Sequence, residues 1–488
     1  MPCSPVAPPF IRPLFLNRYA FMSQVIRFGT DGWRAVIADD FTFANLERVA
    51  LATARYYRNH KKIRNGIVVG YDARFMSREF AEKTAEVIAS AGITVKLADS
   101  IVTTPMVSLV TKLEQAAGGI VITASHNPAR YNGFKIKGDF GGPAHPEMIA
   151  QVEKKLAAVM KLKSMPKGKL SFDQLVKKKK IRMIGMKKQY LADLASKLDL
   201  QMIRDSGMKI LYDVMYGAGQ GVLASVLPGI RHIHDVYNPS FGGTNPEPIA
   251  QNLTQLMHWV NVENYHIGIA TDGDADRIGA VDEQGRFVDS HRIFSLLLKY
   301  FVENKRMTGE VVKTISVTGM VDKQCERYGL TMHETPVGFK HVCRLMTERD
   351  IIIGGEESGG LGTRAHLPER DGIYLGLMLC EVMASRNMPL GDLVAELMDE
   401  YGTHEFKRID LHVTEKAKTA IMKKFRKGVS QLGGSKVTGR KDIDGHKFFV
   451  DKGWVLVRAS GTEPLIRFYA EADSIERVDA LLADATQH

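Results

Sequence analysis

Gly119-Ile120-Val121-Ile122-Thr123-Ala124-Ser125-His126-Asn127-Pro128 is the stretch that decides how the chain is read. Its first half is a short apolar, β-branched run behind a glycine pair, the pattern of a buried strand. Its second half is abruptly polar, and Pro128 disfavours helix at Asn127. A serine and a histidine therefore stand at the carboxyl end of a core strand, where open α/β sheets place ligands. Taken alone, the same residues also suit an ordinary junction in which Ser125 caps the next turn.

Working outward, strand and helix patterns alternate on the amino-terminal side. Gly66 to Tyr71 predicts a strand ending at Asp72 and Arg74, Ser77 to Ala91 a helix, Ile93 to Leu97 a strand and Thr104 to Ala117 a helix. That β-α-β-α-β order predicts a mostly parallel sheet. Ahead of it lies a glycine-rich loop, Gly29-Thr30-Asp31-Gly32-Trp33-Arg34. A second unit opens at Met208 to Asp213, passes a helix near 218–227 and another around 249–262, and reaches the strand Tyr265 to Thr271. A third runs from a helix near 291–303 through the strand Glu310 to Val317 to Ile351-Ile352-Ile353-Gly354. In all three, an apolar strand ends in an unusually polar loop, a weak internal repeat. From about 404 the pattern changes to strand, helix, strands with a hairpin at Asp442-Ile443-Asp444-Gly445, and a final helix, an α+β pattern.

The chain has 488 residues, more than one hydrophobic core usually supports, which predicts three or four domains. The boundaries read as 22–165, 186–290, 291–403 and 404–488, with 1–21, rich in proline, as a disordered extension. Four scattered cysteines without metal-ligand spacing argue for a reducing compartment. With no secretory signal pattern and no apolar run of spanning length, a cytoplasmic protein without membrane partners is expected. The net charge is +11, with Lys177-Lys178-Lys179-Lys180 at the centre of a lysine-rich stretch near 155–188. Phe172 and Tyr190 are its only nearby aromatics and no reader motif appears, so it reads as a solvated linker rather than a nucleic-acid site. A basic protein also attracts anionic phosphorylated metabolites.

The loops carry the chemistry. Thr271-Asp272-Gly273-Asp274-Ala275-Asp276-Arg277 alternates three carboxylates along one short turn, hard oxygen ligands suited to Mg²⁺. An EF-hand fails here, since Arg277 stands where its sharp turn needs glycine and the flanks are strands. Mg²⁺ ordinarily keeps positions open for phosphate oxygens, so the carboxylates beside Arg277 suggest phosphoryl transfer. In Gly355-Glu356-Glu357-Ser358-Gly359-Gly360, adjacent glutamates on an extended segment point opposite ways, so one carboxylate with a hydroxyl is available to grip sugar hydroxyls. The run Arg458-Ala459-Ser460-Gly461-Thr462-Glu463-Pro464, with Arg467 close behind, combines guanidiniums, hydroxyls and backbone N–H groups into an anion nest. Gly217-Ala218-Gly219-Gln220-Gly221 imitates a dinucleotide fingerprint, but Val222 stands where the third glycine belongs, so it reads as a tight strand-to-helix turn.

These four loops, in this order, resemble the α-D-phosphohexomutase family, the phosphoglucomutases and phosphomannomutases. The resemblance extends from about Gln24 to the carboxyl terminus. It implies three related α/β units with mostly parallel mixed sheets and a smaller C-terminal α+β domain, around a central cleft. Residue by residue, Ser125 matches the serine that bears the transferable phosphoryl group and completes the metal site. Asp272, Asp274 and Asp276 match the ligands of one Mg²⁺ per chain, and Arg277 a phosphate contact. His126, Lys135 and Arg34 match residues around the reacting oxygens, Lys135 being the first choice of general base and His126 the second. Glu356 and Ser358 match sugar contacts, while Lys340, Arg458, Ser460, Gly461, Thr462 and Arg467 match the distal phosphate site. The implied reaction interconverts hexose 1-phosphate and 6-phosphate through a 1,6-bisphosphate, glucose 1,6-bisphosphate for a glucose enzyme. The expected partners are small phosphosugars, in a monomer or homodimer. Glu-Glu-Ser with Gly360, where mannose- and glucosamine-accepting members often carry histidine, favours glucose over dual glucose/mannose activity, with phosphoglucosamine third. A Ser125/His126 hydrolase would not need the aspartates, and a non-catalytic phosphosugar-binding protein would not need Ser125.

Overall fold

A computed structural model describes residues 26–29, 31–166, 168–460 and 465–487. The predicted extension over 1–21, and Gly461 and Thr462, lie outside the described residues.

The first sheet contains β1 (Trp33–Val36), β2 (Ile67–Tyr71), β3 (Val95–Ala98), β4 (Gly118–Ile122), β5 (Tyr131–Lys137) and β6 (Ile181–Ile184), in the order β1-β5-β4-β2-β3-β6. Strands β4, β2, β3 and β6 run parallel, and β5 returns antiparallel to β4. β2 and β4 are buried at every position because helices cover both sheet faces, which is why both read as unbroken apolar runs. Gly119 has a further reason to lack a side chain: a Cβ there would sit 2.5 Å from Thr111 Oγ1 on the covering helix Thr104–Leu113.

The second sheet is β11-β10-β9-β7-β8, built from β7 (Ile210–Asp213), β8 (Arg231–Ile233), β9 (Ile267–Thr271), β10 (Ile278–Asp282) and β11 (Phe287–Val288). The third is β13-β12-β14-β15, from β12 (Glu310–Thr314), β13 (Thr331–Thr335), β14 (Ile351–Gly355) and β15 (Leu361–Thr363). The repeat seen in the sequence has a topological basis. In each unit one parallel strand (β4, β9 or β14) enters a polar loop and returns at once as an antiparallel neighbour (β5, β10 or β15). Each chemical loop is therefore anchored at both ends by ladder hydrogen bonds in a buried sheet.

The fourth unit is an antiparallel sheet, β16 (Glu405–His412), β22 (Leu465–Ala472), β21 (Gly453–Ala459), β20 (His446–Val450) and β19 (Gly439–Lys441), with a small pair β17 (Gln431–Leu432) and β18 (Ser435–Lys436). Its core, around Phe425, Phe448, Val457, Phe468 and Leu482, is separate from the large cluster that runs through the other three units.

Several expectations need correction. The lysine-rich stretch near 155–188 is not a linker. Ser171 and Gln174 form a capping box for the helix Phe172–Lys177, and β6 then pairs in parallel with β3, so the first sheet continues to Ile184 rather than ending at 165. Lys177 to Lys180 are exposed beside this edge strand, where charge discourages pairing with another chain. The helix expected at 218–227 is only Val222–Val226, the one around 249–262 begins at Thr254, and the strand expected to Val317 stops at Thr314. Cys325, Cys343 and Cys380 are buried free thiols. No helix among the described residues is long and apolar enough to cross a membrane.

Candidate active site

Beyond β4 the backbone turns sharply: Ser125 has φ +53°, a left-handed conformation uncommon for a residue with a Cβ. Thr123 Oγ1 accepts the Ser125 N–H at 2.9 Å and Ala124 O accepts that of Asn127 at 3.1 Å, closing the turn. The result aims Ser125 Oγ across to the second unit, where it donates to Asp272 Oδ2 at 2.7 Å. His126 Nδ1 lies 3.5 Å from the same hydroxyl. Burial, and then the surrounding guanidiniums of Arg277 and Arg34 and the ammonium of Lys135, hold the His126 pKa well below its ordinary value, so the ring is neutral. Arg34 Nη1 donates to Asn127 Oδ1 at 2.7 Å, fixing the far end of the turn.

The aspartate loop leaves β9 and folds around its own first carboxylate. Asp272 Oδ1 accepts the N–H groups of Asp276 and Arg277 at 2.9 and 3.1 Å, and Ala275 takes φ +57°. The three carboxylates are fully buried, with oxygens within 4.8 Å of one another. Asp274 Oδ1 and Asp276 Oδ1 have no hydrogen-bond partner among the described residues. Buried, unsatisfied carboxylate oxygens are costly, and a hard divalent cation is the ligand such a set fits. The glycine turn near 217 braces this loop: Ala218 N donates to Gly273 O at 2.9 Å, and a Cβ on Gly217 would meet Asp272 O at 2.9 Å. It serves as a tight turn, as the sequence suggested.

Lys135, on β5, sits inside the same cluster, its Nζ 2.7 Å from Asp274 Oδ2, 2.9 Å from Asp276 Oδ2 and 2.8 Å from Asp31 Oδ2. Burial alone would lower its pKa, but the three carboxylates raise it above the ordinary value. Its first-choice role as general base is therefore not the one this geometry favours: an ammonium clamped by three anions keeps its proton. Arg277 is buried, reaches Glu247 at 3.4 Å, and keeps an Nε donor without a partner among the described residues.

In the third loop the two glutamates diverge as alternation requires. Glu357 Oε2 accepts from Ser316 Oγ at 2.6 Å, while Glu356 Oε2 faces Arg370 Nη1 at 3.4 Å. Burial, opposed by Arg370, pushes the Glu356 carboxyl up to about 7. Ser358 is half-buried on the turn. In the fourth unit, Arg458 and Arg467 are directly opposed on β21 and β22 and so share a sheet face. Arg458 Nε pairs with Asp444 Oδ2 at 2.7 Å, and the same oxygen accepts the Val337 N–H at 3.1 Å. That bond brings the start of the helix Phe339–Glu348, where Lys340 stands, alongside Arg458, while Ser460 is buried at the end of β21.

Four contributors escaped the sequence reading. Arg370 Nη2 binds Asp31 Oδ2 at 2.5 Å and Asp276 Oδ2 at 2.6 Å while Nη1 faces Glu356, so one guanidinium joins three units. Its signal was Glu369-Arg370-Asp371-Gly372 set against the apolar helix Gly372–Arg386, the same polar-against-apolar contrast that singled out the other loops. Thr104 Oγ1 donates to Asp274 Oδ2 at 2.5 Å, and Arg74 and Glu247 meet the site only through the fold.

Models of the four phosphoglucomutase/phosphomannomutase domains match the chain in sequence order: α/β/α domain I at residues 25–163, domain II at 188–285, domain III at 289–401 and the C-terminal domain at 409–488. The chain belongs to the phosphoglucomutase/phosphomannomutase family. A phosphoglucomutase/phosphomannomutase of Thermococcus kodakarensis is 31% identical over 92% of this chain and 95% of its own length. A phosphoglucosamine mutase of Carboxydothermus hydrogenoformans is 30% identical over 93% of this chain and 98% of its own. A solved structure from Thermus thermophilus, provisionally named a phosphomannomutase, superposes with a TM-score of 0.84 at 35% identity, covering 96% of this chain and 99% of that one. The fold is that of the phosphohexomutases, three α/β domains and a smaller C-terminal one, and the chain is a mutase, an isomerase.

Proposed function

We propose that this phosphohexomutase interconverts glucose 1-phosphate and glucose 6-phosphate, with Ser125 as the phosphoryl carrier and glucose 1,6-bisphosphate as intermediate and activator. The observation that carries the reading is the left-handed Ser125, whose hydroxyl is held 2.7 Å from Asp272 inside a buried carboxylate triad.

Phosphorylated Ser125 gives its phosphoryl group to the free hydroxyl of the hexose monophosphate; the bisphosphate turns end for end, and its other phosphate returns to Ser125. Asp272, Asp274 and Asp276, with a Ser125 oxygen, would hold one Mg²⁺, which supplies positive charge against the phosphoryl oxygens. Arg277, with its unmatched donor, and Arg34 would bind the same oxygens. Lys135 keeps its proton and contributes charge, leaving neutral His126 as the group able to take one from the attacking hydroxyl. Glu356 and Ser358 would orient the sugar ring. Lys340, Arg458, Ser460, Gly461, Thr462 and Arg467 would hold whichever phosphate is idle.

Glucose preference is supported by Gly360: a Cβ there would lie 2.4 Å from Arg370 Cδ, so the loop end has no room for a further sugar-reading side chain. The relatives named phosphoglucosamine mutase favour a second reading, a glucosamine phosphate substrate. The test supplies glucose, mannose, glucosamine and N-acetylglucosamine 1-phosphates separately, with Mg²⁺ and a trace of glucose 1,6-bisphosphate. Glucose 6-phosphate should form fastest and disappear with Ser125→Ala. Faster turnover of another sugar would overturn the preference, and undiminished activity of Ser125→Ala the carrier.

A further inference from the structure

Ser125 holds a left-handed turn, a conformation that carries a steric cost for a residue with a Cβ. What opposes that cost is a group outside every phosphate-, metal- or sugar-binding role above. Arg74 follows β2, is almost completely buried, and turns its guanidinium under the serine loop. Nη2 donates to Ser125 O at 2.5 Å and Asn127 O at 2.7 Å, and Nη1 to Pro128 O at 3.0 Å and Tyr131 O at 3.1 Å. Three backbone carbonyls of the loop and that of Tyr131, the first residue of β5, thus converge on one planar fork, which a lysine's single ammonium does not reproduce.

The arginine is itself fixed. Its Nε lies 3.2 Å from Asp72 Oδ2, and Asp72 Oδ1 accepts from Arg74 N at 3.0 Å and Ser77 Oγ at 2.7 Å. Phe241 of the second unit, also buried and left-handed at φ +52°, lays its ring 4.8 Å from the guanidinium carbon. A second contact from that unit points the same way: a Cβ on Gly273, in the aspartate loop, would sit 2.4 Å from Ser125 O. The Ser125 carbonyl is thereby gripped by Arg74 and faced closely by Gly273, which leaves the hydroxyl directed at Asp272.

We propose that Arg74 is a positioning residue that sets the Ser125 nucleophile, and that Phe241, pressed on its face, makes that setting depend on the docking of the second unit. The proposal rests on the Ser125 carrier reading. Arg74 is buried with its guanidinium taken up by backbone carbonyls, outside the residues proposed to hold sugar or idle phosphate, so its loss acts on transfer rather than on substrate grip.

The experiment compares Arg74→Lys, Arg74→Ala and Phe241→Leu with wild type. It measures kcat and KM for glucose 1-phosphate, and the rate at which glucose 1,6-bisphosphate phosphorylates Ser125, read by intact mass. Arg74→Lys should lower kcat and the phosphorylation rate about 100-fold, the effect of a nucleophile misplaced by about 1 Å, with KM within about twofold. Millimolar guanidinium should restore part of the Arg74→Ala phosphorylation rate, a rescue that a purely structural role would not give. Phe241→Leu should lower the rate about fivefold. Wild-type kcat in Arg74→Lys, a loss confined to KM, or no guanidinium rescue would overturn the proposal. If neither Arg74 variant folds, Phe241→Leu decides, and an unchanged phosphorylation rate overturns it. A wild-type protein that takes a phosphoryl group from glucose 1,6-bisphosphate onto Ser125, releasing the monophosphate, but does not turn over glucose 1-phosphate would overturn the sugar reading while leaving the phosphorylation arm to judge Arg74.

Discussion

The two ends of the site are built differently. Around Ser125 the groups are buried and held from other units: Asp272 takes the serine hydroxyl, Lys135 binds carboxylates of two units and Arg370 those of three, and Thr104 of the first unit reaches Asp274 of the second. In the fourth unit, Arg458 and Arg467 are half-buried and are paired by that unit's own aspartates, Asp444 and Asp410. The difference is instructive because the two ends have different tasks in the proposed reaction. Stabilising a transferring phosphoryl group needs charges fixed before the reaction, in a dry setting where they are strong. Holding an idle phosphate needs donors that can release it when the intermediate turns over, which half-exposed arginines on a separately cored unit supply.

The largest losses are expected at the buried end. Ser125→Ala should lower glucose 1-phosphate turnover by on the order of 10⁴-fold or more, since no carrier remains. Equal rates for variant and wild type in a coupled assay would place the chemistry elsewhere. Next, Asp274→Asn, or chelation of divalent cations from the wild type, should cost on the order of 10³-fold, with activity returning on Mg²⁺ addition only in the wild type. Full activity in chelator would remove the metal from the account.

At the other end the expected effects are smaller and of another kind. Arg458→Ala should raise KM for glucose 1-phosphate about tenfold while leaving the rate of Ser125 phosphorylation within about twofold, the cost of one charge-assisted contact. A fall in kcat with KM unchanged would mean that the phosphate grip also shapes the transfer. The smallest effect is one of stability. Burial raises the Glu356 carboxyl to about 7, so the folded state binds a proton that the unfolded state has already lost. Its stabilising contribution is present below the ordinary carboxylate pKa and is lost as pH rises through about 7. The thermal midpoint of wild type minus that of Glu356→Gln should therefore fall as pH is raised from about 5 to 8. A flat difference would show that Arg370 offsets burial completely.

Much of this protein was legible because its loops break the local rule. Three buried apolar strands each run into acids, hydroxyls and glycines, and polar groups at the end of a core strand need a ligand or a partner. That contrast marked Ser125, the aspartate triplet and Glu356. It did not show which residues meet, because the partners are remote in sequence. Arg74 is separated by 54 residues from Pro128, whose carbonyl it binds, and Arg370 by 339 from Asp31. The lysine-rich stretch misled for the opposite reason: its charge described its exposed side, whereas strand β6 is defined by its pairing with β3.

The repeated strand-loop plan, the strand-end serine, the aspartate triplet and the candidate anion nest were legible in the sequence because the residues within each lie a few positions apart and their chemistry is local. The packed units settle which of two glutamates faces Arg370, why the carboxylates around Lys135 favour its charged form, and what holds Ser125 in a left-handed turn. The glutamates are sorted by Ser316 and Arg370 within the third unit, and the other two features depend on groups that the first and second units bring together only once their sheets are formed and docked.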